Sequence, residues 1–441
     1  MGVFSFVGGI HPPHEKHSTE HKPVVHIAAP KFVSIPMRQH IGAPCDPIVK
    51  VGDIVHVGQL IGEASSFVSA AVHSSVSGVV KEVAKKLTSG GMEVCVVIEN
   101  DFQDTLDESV RPKGDIKQLN ASEIIDLIKS AGLVGMGGAG FPLHVKLMPP
   151  KDKKIDAIVL NGAECEPYLT TDHRLMLEYP ERIVHGLRAI MKALDVQSGF
   201  IGIEDNKPDC IKAMKEAARP YSEITVASLH TKYPQGAEKQ LIYACTKKEV
   251  PSGGLPMDVG VVVSNVATAA ALAHYIQTGM PLIERICTVT GFGIKEPKNI
   301  WLRVGTPISH VIESCGGYAV EPGKLILGGP MMGLAQPSAE MPATKTTSGV
   351  LVFGKEEAIL PEPSQCIQCG KCVGICPAFL QPVYMCAYAQ QDNFDKAAAY
   401  HALDCIECGS CSFTCPSKRP LLPSIRVAKR EILAKRRKSK A

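Results

Sequence analysis

The chain alternates between two hydrophobic periods, which together predict a multidomain α/β protein. Residues 49–83 and 282–335 are rich in β-branched residues and are divided by Gly, Pro and Ser turns, so both segments are expected to form strands. Between them, residues 119–133 place their apolar side chains at helical spacing. Asn120 followed by Glu123 forms a capping-box pattern at the start of this helix.

Two apolar runs follow the predicted helix. Residues 155–162 predict a buried strand. Residues 259–273 predict a buried strand and a helix, because polar residues interrupt the run and it falls short of the roughly 20 residues that a membrane-spanning helix needs. The first residues have no basic leader, and two prolines end their short apolar run, so we expect no signal peptide.

The length and composition of the chain indicate the number of domains and the cellular compartment. A chain of 441 residues corresponds to about three domains at ~150 residues each, and 45% apolar residues are ample for several cores. Lys and Arg total 47 against 44 Asp and Glu, so the net charge of +3 gives no global case for nucleic-acid binding. With no secretion signal, the 16 cysteines are expected to be thiols or metal ligands in a reducing cytosol.

Eight cysteines fall in two blocks near the C-terminus, and each block has the spacing C-x2-C-x2-C-x3-C-P. Thiolates at this spacing hold three corners of a 4Fe-4S cluster, while the fourth cysteine of each block ligates the other cluster. Two zinc sites are the alternative, but zinc motifs normally contribute cysteines in twos. The spacing therefore predicts one cluster on Cys366, Cys369, Cys372 and Cys415, and another on Cys405, Cys408, Cys411 and Cys376.

A glycine-rich segment precedes the strand at 155–162. Gly135, Gly137 and Gly140 form the G-x-G-x-x-G pattern of dinucleotide-binding folds, where a strand leads into the first glycine. Here a helix comes first and the strand follows, which excludes an ordinary Rossmann loop. Glycines still let backbone N–H groups approach a phosphate or a flavin, and Lys146 supplies a positive charge for a phosphate.

Longer strings make the pattern specific. GMGGAGFPLHVK, NGAECEP, YPQGAEKQL and VSNVATAAAL resemble the FMN and NADH segments of the flavin subunit of respiratory complex I. The whole chain, including residues 289–317 and 325–333, resembles the RnfC family of the membrane Rnf complex, a ferredoxin:NAD oxidoreductase. The resemblance implies two 4Fe-4S clusters, FMN and NAD(H) as cofactors.

The same resemblance assigns cofactor-binding roles to residues of the four strings. Phe141 is expected to stack on the dinucleotide, and Glu166 to lie near the NADH ribose, where a carboxylate would repel an NADP 2'-phosphate. Solvated loop carboxylates are the alternative for the three glutamates, and no catalytic general base is expected. The FMN-binding residues implied are Gly135, Gly137, Gly138, Gly140, Lys146, Asn161, Glu164, Cys165, Tyr233, Gly236, Glu238, Ser264, Asn265 and Thr268.

Three positions depart from the complex I pattern. Ala163 and Ala237 stand where that pattern has acidic residues, and no second aromatic residue follows Lys146. These differences concern the geometry of the NADH side of the site.

The remaining segments suggest supporting roles. Residues 49–83 look like a biotinyl or lipoyl carrier domain, but no lysine lies between Lys50 and Lys81, so we expect a barrel-sandwich scaffold without acylation. Residues 282–335 resemble a ligand-binding β-grasp (SLBB) module. Four histidines at 11–21 suggest an extended arm that docks on a partner, with a metal site as the alternative.

The C-terminus is strongly basic. Eight basic residues and one acid lie between Arg426 and Lys440, which fits either a solvated tail or contact with anionic lipid or an acidic partner. The expected domains are a barrel sandwich (1–110), an α/β FMN/NADH domain (111–280), an SLBB β-grasp module (281–350), a helical two-cluster ferredoxin-like domain (351–425) and a basic tail (426–441).

The resemblance implies an electron-input subunit, peripheral on the cytoplasmic side of the cell membrane. Such a subunit exchanges a hydride between NADH and FMN and passes single electrons through two clusters, because nicotinamide exchanges two electrons and each cluster one. Its partners are the other Rnf subunits and, through them, ferredoxin, with coupling to Na+ or H+ transport and no nucleic acid. A soluble NADH-dependent iron–sulfur reductase or diaphorase is one alternative, and an iron–sulfur scaffold with a vestigial flavin site is another.

Overall fold

The computed structural model describes residues 4–438. Its N-terminal part folds into two small antiparallel sheets, ordered β2-β8-β7-β4 and β3-β5-β6. Val33, Ile35 and Ile61 are fully buried between them, as expected for the inner faces of a sandwich. The strands are β1 (Val24–His26), β2 (Phe32–Pro36), β3 (Cys45–Pro47), β4 (Ile54–Val55), β5 (Leu60–Ala64), β6 (Val72–His73), β7 (Gly78–Thr88) and β8 (Gly91–Asn100).

The next part is a parallel sheet, ordered β11-β10-β9-β12, with helices packed on it. The predicted helix, strand and strand–helix pair are confirmed at α1, β9 and β12–α7, and the Asn120–Glu123 capping box is present. The elements are α1 (Ala121–Ser130), α2 (Leu143–Lys146), β9 (Ala157–Asn161), α3 (Thr171–Glu178), α4 (Pro180–Ala193), β10 (Gly199–Glu204), α5 (Pro208–Ala218), β11 (Ile224–Leu229), α6 (Glu238–Thr246), β12 (Val261–Asn265) and α7 (Val266–Thr278).

A six-stranded mixed sheet follows, ordered β1-β14-β13-β17-β15-β16. It extends beyond the predicted segment 281–350, because β1 pairs with β14 from far upstream and β17 continues to Gly354. Helix α8 packs on it and buries Val311 and Ile312. The elements are β13 (Glu284–Thr290), β14 (Lys298–Arg303), α8 (Ile308–Ser314), β15 (Pro322–Leu327), β16 (Leu334–Gln336) and β17 (Gly349–Gly354).

Beyond β17, the regular elements among the described residues are helices. They are α9 (Lys371–Gly374), α10 (Pro382–Ala389), α11 (Phe394–Ala399), α12 (Ser410–Thr414) and α13 (Leu421–Lys438). Helix α13 buries Ile425, Ala428 and Ile432 against α10 and α11. Residues 426–438 therefore continue a packed helix instead of forming a tail, because their apolar positions recur at helical spacing; residues 439–441 lie outside the described residues.

The N-terminal arm, residues 4–22, packs on the rest of the chain. Its backbone pairs with Leu229 and Tyr233 in the flavin-type domain, and Gly9 N–H donates to the carbonyl of Ile375 beside the cysteine blocks (2.8 Å). The arm therefore packs on its own chain, and its docking on a partner stays a prediction. Within the described chain, its histidines are not gathered into a metal-ligand group.

None of the helices in residues 4–438 combines the length and the apolar character needed to cross a bilayer.

Candidate functional site

The carboxyl ends of β9 and β12 bring several predicted site residues together, as parallel strands do at one edge of a sheet. The Asn161 amide donates to the carbonyl of Gly236 (2.8 Å), and the Asn265 amide donates to the carbonyl of Asn161 (3.2 Å). The N–H of Gly236 donates to the Cys165 sulfur at 3.3 Å. Four of the predicted residues thus form one hydrogen-bonded group.

The glycine loop lies directly over this group. Gly137 and Gly138 are exposed, and a Cβ at Gly137 would lie 3.1 Å from the Cβ of Asn265. Gly138 has a φ of +156° with no heavy atom within 4 Å of a Cβ position, so its backbone is open to a ligand. The loop is fixed by Gly135 N–H to the Phe141 carbonyl (2.9 Å).

The remaining loop contacts come from β12 and α7. The hydroxyl of Thr268 accepts a hydrogen bond from Met136 N–H at 2.9 Å, and Ser264 is buried on β12. Lys146 donates to Val263 O (2.8 Å) and pairs with Glu238 at 3.1 Å. Because Glu238 is 42% exposed, an incoming phosphate could compete with it for the ammonium.

Glu164 is buried, which rules out the solvated-loop alternative for its side chain. Its carboxylate accepts hydrogen bonds from the N–H groups of Asp172 (2.6 Å) and His173 (3.2 Å). It therefore caps the N-terminus of α3, where exposed N–H groups and the helix dipole favour a negative charge.

Glu166 is partly buried. Its two oxygens accept hydrogen bonds from Met331 N–H (3.1 Å) and Met332 N–H (2.8 Å), so it binds the backbone of the β15–β16 turn. Burial raises the pKa of Glu166 to about 7 despite these hydrogen bonds.

Two buried charged residues of this site were missed by sequence reasoning. Asp172 accepts a hydrogen bond from the Asn265 amide at 2.8 Å, and burial together with the neighbouring Glu164 carboxylate raises its pKa to about 7. The Arg285 guanidinium donates to the carbonyl of Met136 in the glycine loop (3.0 Å). Neither lies in a recognisable motif, although an acidic residue in the first turn of a helix after NGAECEP was a usable signal.

The cysteines form two groups of different burial. The second group, Cys376, Cys405, Cys408 and Cys411, lines an apolar pocket. Ile375, Leu380, Met385 and Ile425 complete its walls. Three cysteines of the second block are thus joined by the last cysteine of the first block, which is the exchange that the spacing predicts. Four soft thiol ligands around a dry cavity fit an iron–sulfur cluster.

The first group comprises Cys366, Cys369, Cys372 and Cys415. Every residue from 361 to 370 is exposed, including Cys366 and Cys369. Cys372 and Cys415 are partly buried and pack against the cluster of Cys386, Cys411 and Leu421. This group therefore lies at the surface of the helical domain.

Tyr233 connects the strand-end group with the second cysteine group. Its side chain is buried, and its hydroxyl donates to the backbone carbonyl of Cys408 at 2.7 Å. Cys165 and Met331 pack in the same apolar cluster as Tyr233 and Cys408. The predicted flavin segments and the second cysteine group therefore share one buried contact.

Four known domain families match the chain. Residues 4–103 match the RnfC barrel sandwich hybrid domain and residues 128–274 the Nuo51 FMN-binding domain. Residues 286–335 match the SLBB domain, and residues 358–416 match a 4Fe-4S dicluster domain. The predicted fold class is thereby confirmed, and the protein is an iron–sulfur flavoprotein.

Full-length relatives define the family. The chain is 55% identical to a subunit of the Na(+)-translocating ferredoxin:NAD(+) oxidoreductase complex of Acetobacterium woodii, over 98% of each chain. It is 48% identical to a subunit of the proton-translocating ferredoxin:NAD(+) oxidoreductase complex of Clostridium ljungdahlii, over 99% of this chain and 96% of that one. The chain belongs to the RnfC family, whose members are subunits of ion-translocating oxidoreductase complexes.

One solved structure shares the fold at low identity. The air-oxidised NAD+-reducing [NiFe]-hydrogenase superposes with a TM-score of 0.50 at 18% identity, over 75% of this chain and 67% of that chain. This likeness concerns the fold alone.

Proposed function

We propose that this protein is the electron-input subunit of an ion-translocating ferredoxin:NAD+ oxidoreductase complex. The observation that carries the proposal is the buried contact between Tyr233 in the flavin-type domain and Cys408 in the cluster domain. If the flavin-type domain had only a structural role, it would not need a buried contact with a cluster ligand. The names of the two relatives support the complex and its reaction.

The proposed FMN site lies at the ends of β9 and β12, under the glycine loop. Bound FMN would supply the exchange between paired and single electrons. Gly137 and Gly138 leave room for it, and Lys146 holds its phosphate. The amides of Asn161 and Asn265 hold the strand ends and the Gly236 backbone together at this site, while Thr268 fixes the glycine loop.

The dinucleotide is proposed to bind on the side of Phe141 and Glu166. A carboxylate has about four acceptor positions, so Glu166 can keep both backbone N–H groups of the β15–β16 turn and still accept ribose hydroxyls. In its ionised form Glu166 would repel the 2'-phosphate of NADPH and so favour NADH.

The cysteine groups are proposed to hold one 4Fe-4S cluster each, in a fixed order. The second group contacts the flavin domain and is the first to receive electrons from the flavin. The first group is exposed and passes them to a partner subunit, from which they continue towards ferredoxin.

The protein is proposed to sit peripherally on the cytoplasmic side of the cell membrane. The exposed end of α13 carries Arg437 and Lys438, and such clusters gain about 1 kcal/mol per charge near anionic lipid. Partner subunits would couple electron flow to transport of Na+ or H+, since the names of the two relatives specify different ions.

The test is anaerobic reduction of the protein reconstituted with iron, sulfide and FMN. We expect about eight irons and one flavin per chain, and bleaching of flavin and cluster absorbance on addition of NADH. Protein that carries iron but binds no flavin would support a scaffold and overturn the proposal.

A soluble reductase or diaphorase is the rival function. Membranes of the native organism would be washed with high salt, and ferredoxin-linked NADH oxidation would be measured in both fractions. Activity that stays with the membrane complex supports the proposal, whereas full ferredoxin-linked activity in the wash supports the rival.

A further inference from the structure

Lys16 of the N-terminal arm reaches into the loop that carries the proposed flavin residues. Its side chain is 4% exposed. The ammonium donates to the carbonyls of Glu164 (3.0 Å), Glu166 (2.9 Å) and Leu169. An ammonium has three donors, so all of them are used by this one loop.

The loop, residues 162–170, has an irregular backbone. Glu164 and Tyr168 both have positive φ values, +50° and +69°, which non-glycine residues rarely adopt. Such conformations persist only where neighbouring contacts determine them. Lys207 binds the carbonyl of Ala163 at 2.8 Å, so two buried ammonium groups hold successive carbonyls of the loop.

The backbone N–H groups of the loop differ from its carbonyls. Within residues 4–438, the N–H groups of Glu164, Cys165 and Glu166 have no hydrogen-bond partner. Adjacent unpaired N–H groups form a favourable site for an oxygen or nitrogen acceptor. The Glu164 carboxylate, 4.0 Å from the Lys16 ammonium, balances its buried charge.

We propose that Lys16 is a positioning residue of the flavin site: it fixes the carbonyls of the loop so that the N–H groups of residues 164–166 are available to acceptor atoms of the flavin ring. This inference rests on the proposed function. Reduction of a flavin places additional negative charge on the ring, so these donors and the ammonium favour the reduced form. Lys16 therefore affects both FMN affinity and the flavin midpoint potential.

The test uses Lys16→Met, which keeps an unbranched side chain one atom shorter and removes the charge and the donors. Lys22→Met is the matched control, because Lys22 lies in the same arm and donates to the carbonyl of Pro297 (2.9 Å), away from the loop. Apoprotein would be titrated with FMN by quenching of flavin fluorescence, and the flavin potential would be measured by equilibration with redox dyes.

Lys16→Met is expected to weaken FMN binding by about tenfold or more, which is about 1.4 kcal/mol or more. Its flavin potential should shift to more negative values, whereas Lys22→Met should match the wild type in both. If Lys16→Met does not accumulate as folded protein, Lys16→Arg replaces it. A planar guanidinium cannot direct three donors from one nitrogen, so a smaller loss in the same direction is expected.

The outcomes separate this inference from the proposed function. Wild-type protein that binds no FMN would contradict the proposed function itself. If the wild type binds FMN and the folded Lys16 variant has the same FMN affinity and flavin potential, the role of Lys16 is contradicted. The proposed function is not affected by that result.

Discussion

The two cysteine groups share one spacing but occupy opposite environments. The second group, Cys376, Cys405, Cys408 and Cys411, lines an apolar pocket and contacts the flavin domain through Tyr233. In the first group, Cys366 and Cys369 are exposed, while Cys372 and Cys415 are partly buried. The two blocks have the same cysteine spacing in the sequence. In the fold, the second group is more buried than the first.

The difference in burial is expected to affect the reduction potentials of the two clusters. Cluster potentials depend on solvent exposure and on hydrogen bonds around the sulfurs. Lys429 donates to the carbonyl of Cys405 at 2.7 Å and pairs with Glu407 at 2.6 Å, so the second group also has charged neighbours that are fixed in place. We therefore expect two separate potentials, with the internal group responding to changes in the flavin domain.

The largest expected effect comes from removing a ligand of each group. Cys408→Ser should abolish reduction of the remaining cluster by NADH, because the internal group links it to the flavin. Cys369→Ser should keep NADH-dependent reduction of the internal cluster and lose only transfer to an acceptor. Both proteins should hold about four irons. Low-temperature electron paramagnetic resonance after NADH addition measures the difference.

Cys386→Ala is the control for this pair, since Cys386 is a buried cysteine of the same domain outside both groups. It should retain both signals. Equal NADH reduction of the remaining cluster in Cys408→Ser and Cys369→Ser would contradict the proposed order.

The same two variants test protection from solvent. In air or with an iron chelator, the exposed cluster left in Cys408→Ser should bleach about tenfold faster than the internal cluster left in Cys369→Ser. That factor corresponds to about 1.4 kcal/mol of local opening free energy. Absorbance near the cluster band, followed over time, gives both rates. A faster loss from the internal cluster would reverse the comparison.

A pH effect is expected at the flavin side of the internal group. Glu166 has an ordinary pKa of 4.5, and burial raises it to about 7 in the folded protein. Between these values the unfolded chain has released the proton and the folded chain has not, so stability falls as pH rises.

The measurement is the unfolding free energy of wild type and Glu166→Gln across this range. The wild type should lose at most about 3.5 kcal/mol more than the variant, because the pKa rises from 4.5 to about 7 at about 1.4 kcal/mol per pKa unit. Parallel pH profiles would show that Glu166 is not the group responsible.

The smallest expected effect is that of Tyr233→Phe, which removes one hydroxyl. Loss of its hydrogen bond to the Cys408 carbonyl should cost about 1 kcal/mol in stability. It should shift the potential of the internal cluster and leave that of the exposed cluster unchanged. Redox titration followed by electron paramagnetic resonance distinguishes the two, and equal shifts would argue against a local role.

Features that depend on neighbouring residues could be predicted from the sequence, whereas contacts between residues far apart in the chain could not. The capping box at Asn120 depends on residues a few positions apart and is confirmed. The cysteine spacing is also a local signal; Cys376 lies with Cys405, Cys408 and Cys411 in the structure, and the ligand sets of the clusters stay a prediction. Lys16 lies 148 residues from the carbonyl of Glu164, so no periodicity or motif connects them. The basic residues of α13 obscured the apolar stripe of Ile425, Ala428 and Ile432, because charge dominated the composition of that segment.

The arm also imposes an order on assembly. The residues near Gly9 are synthesised long before their carbonyl partner Ile375. Contacts of such high sequence separation form slowly, because loop closure must be completed first. The contact of the arm with the flavin and cluster domains therefore forms late in folding, after the domains that it joins have been synthesised.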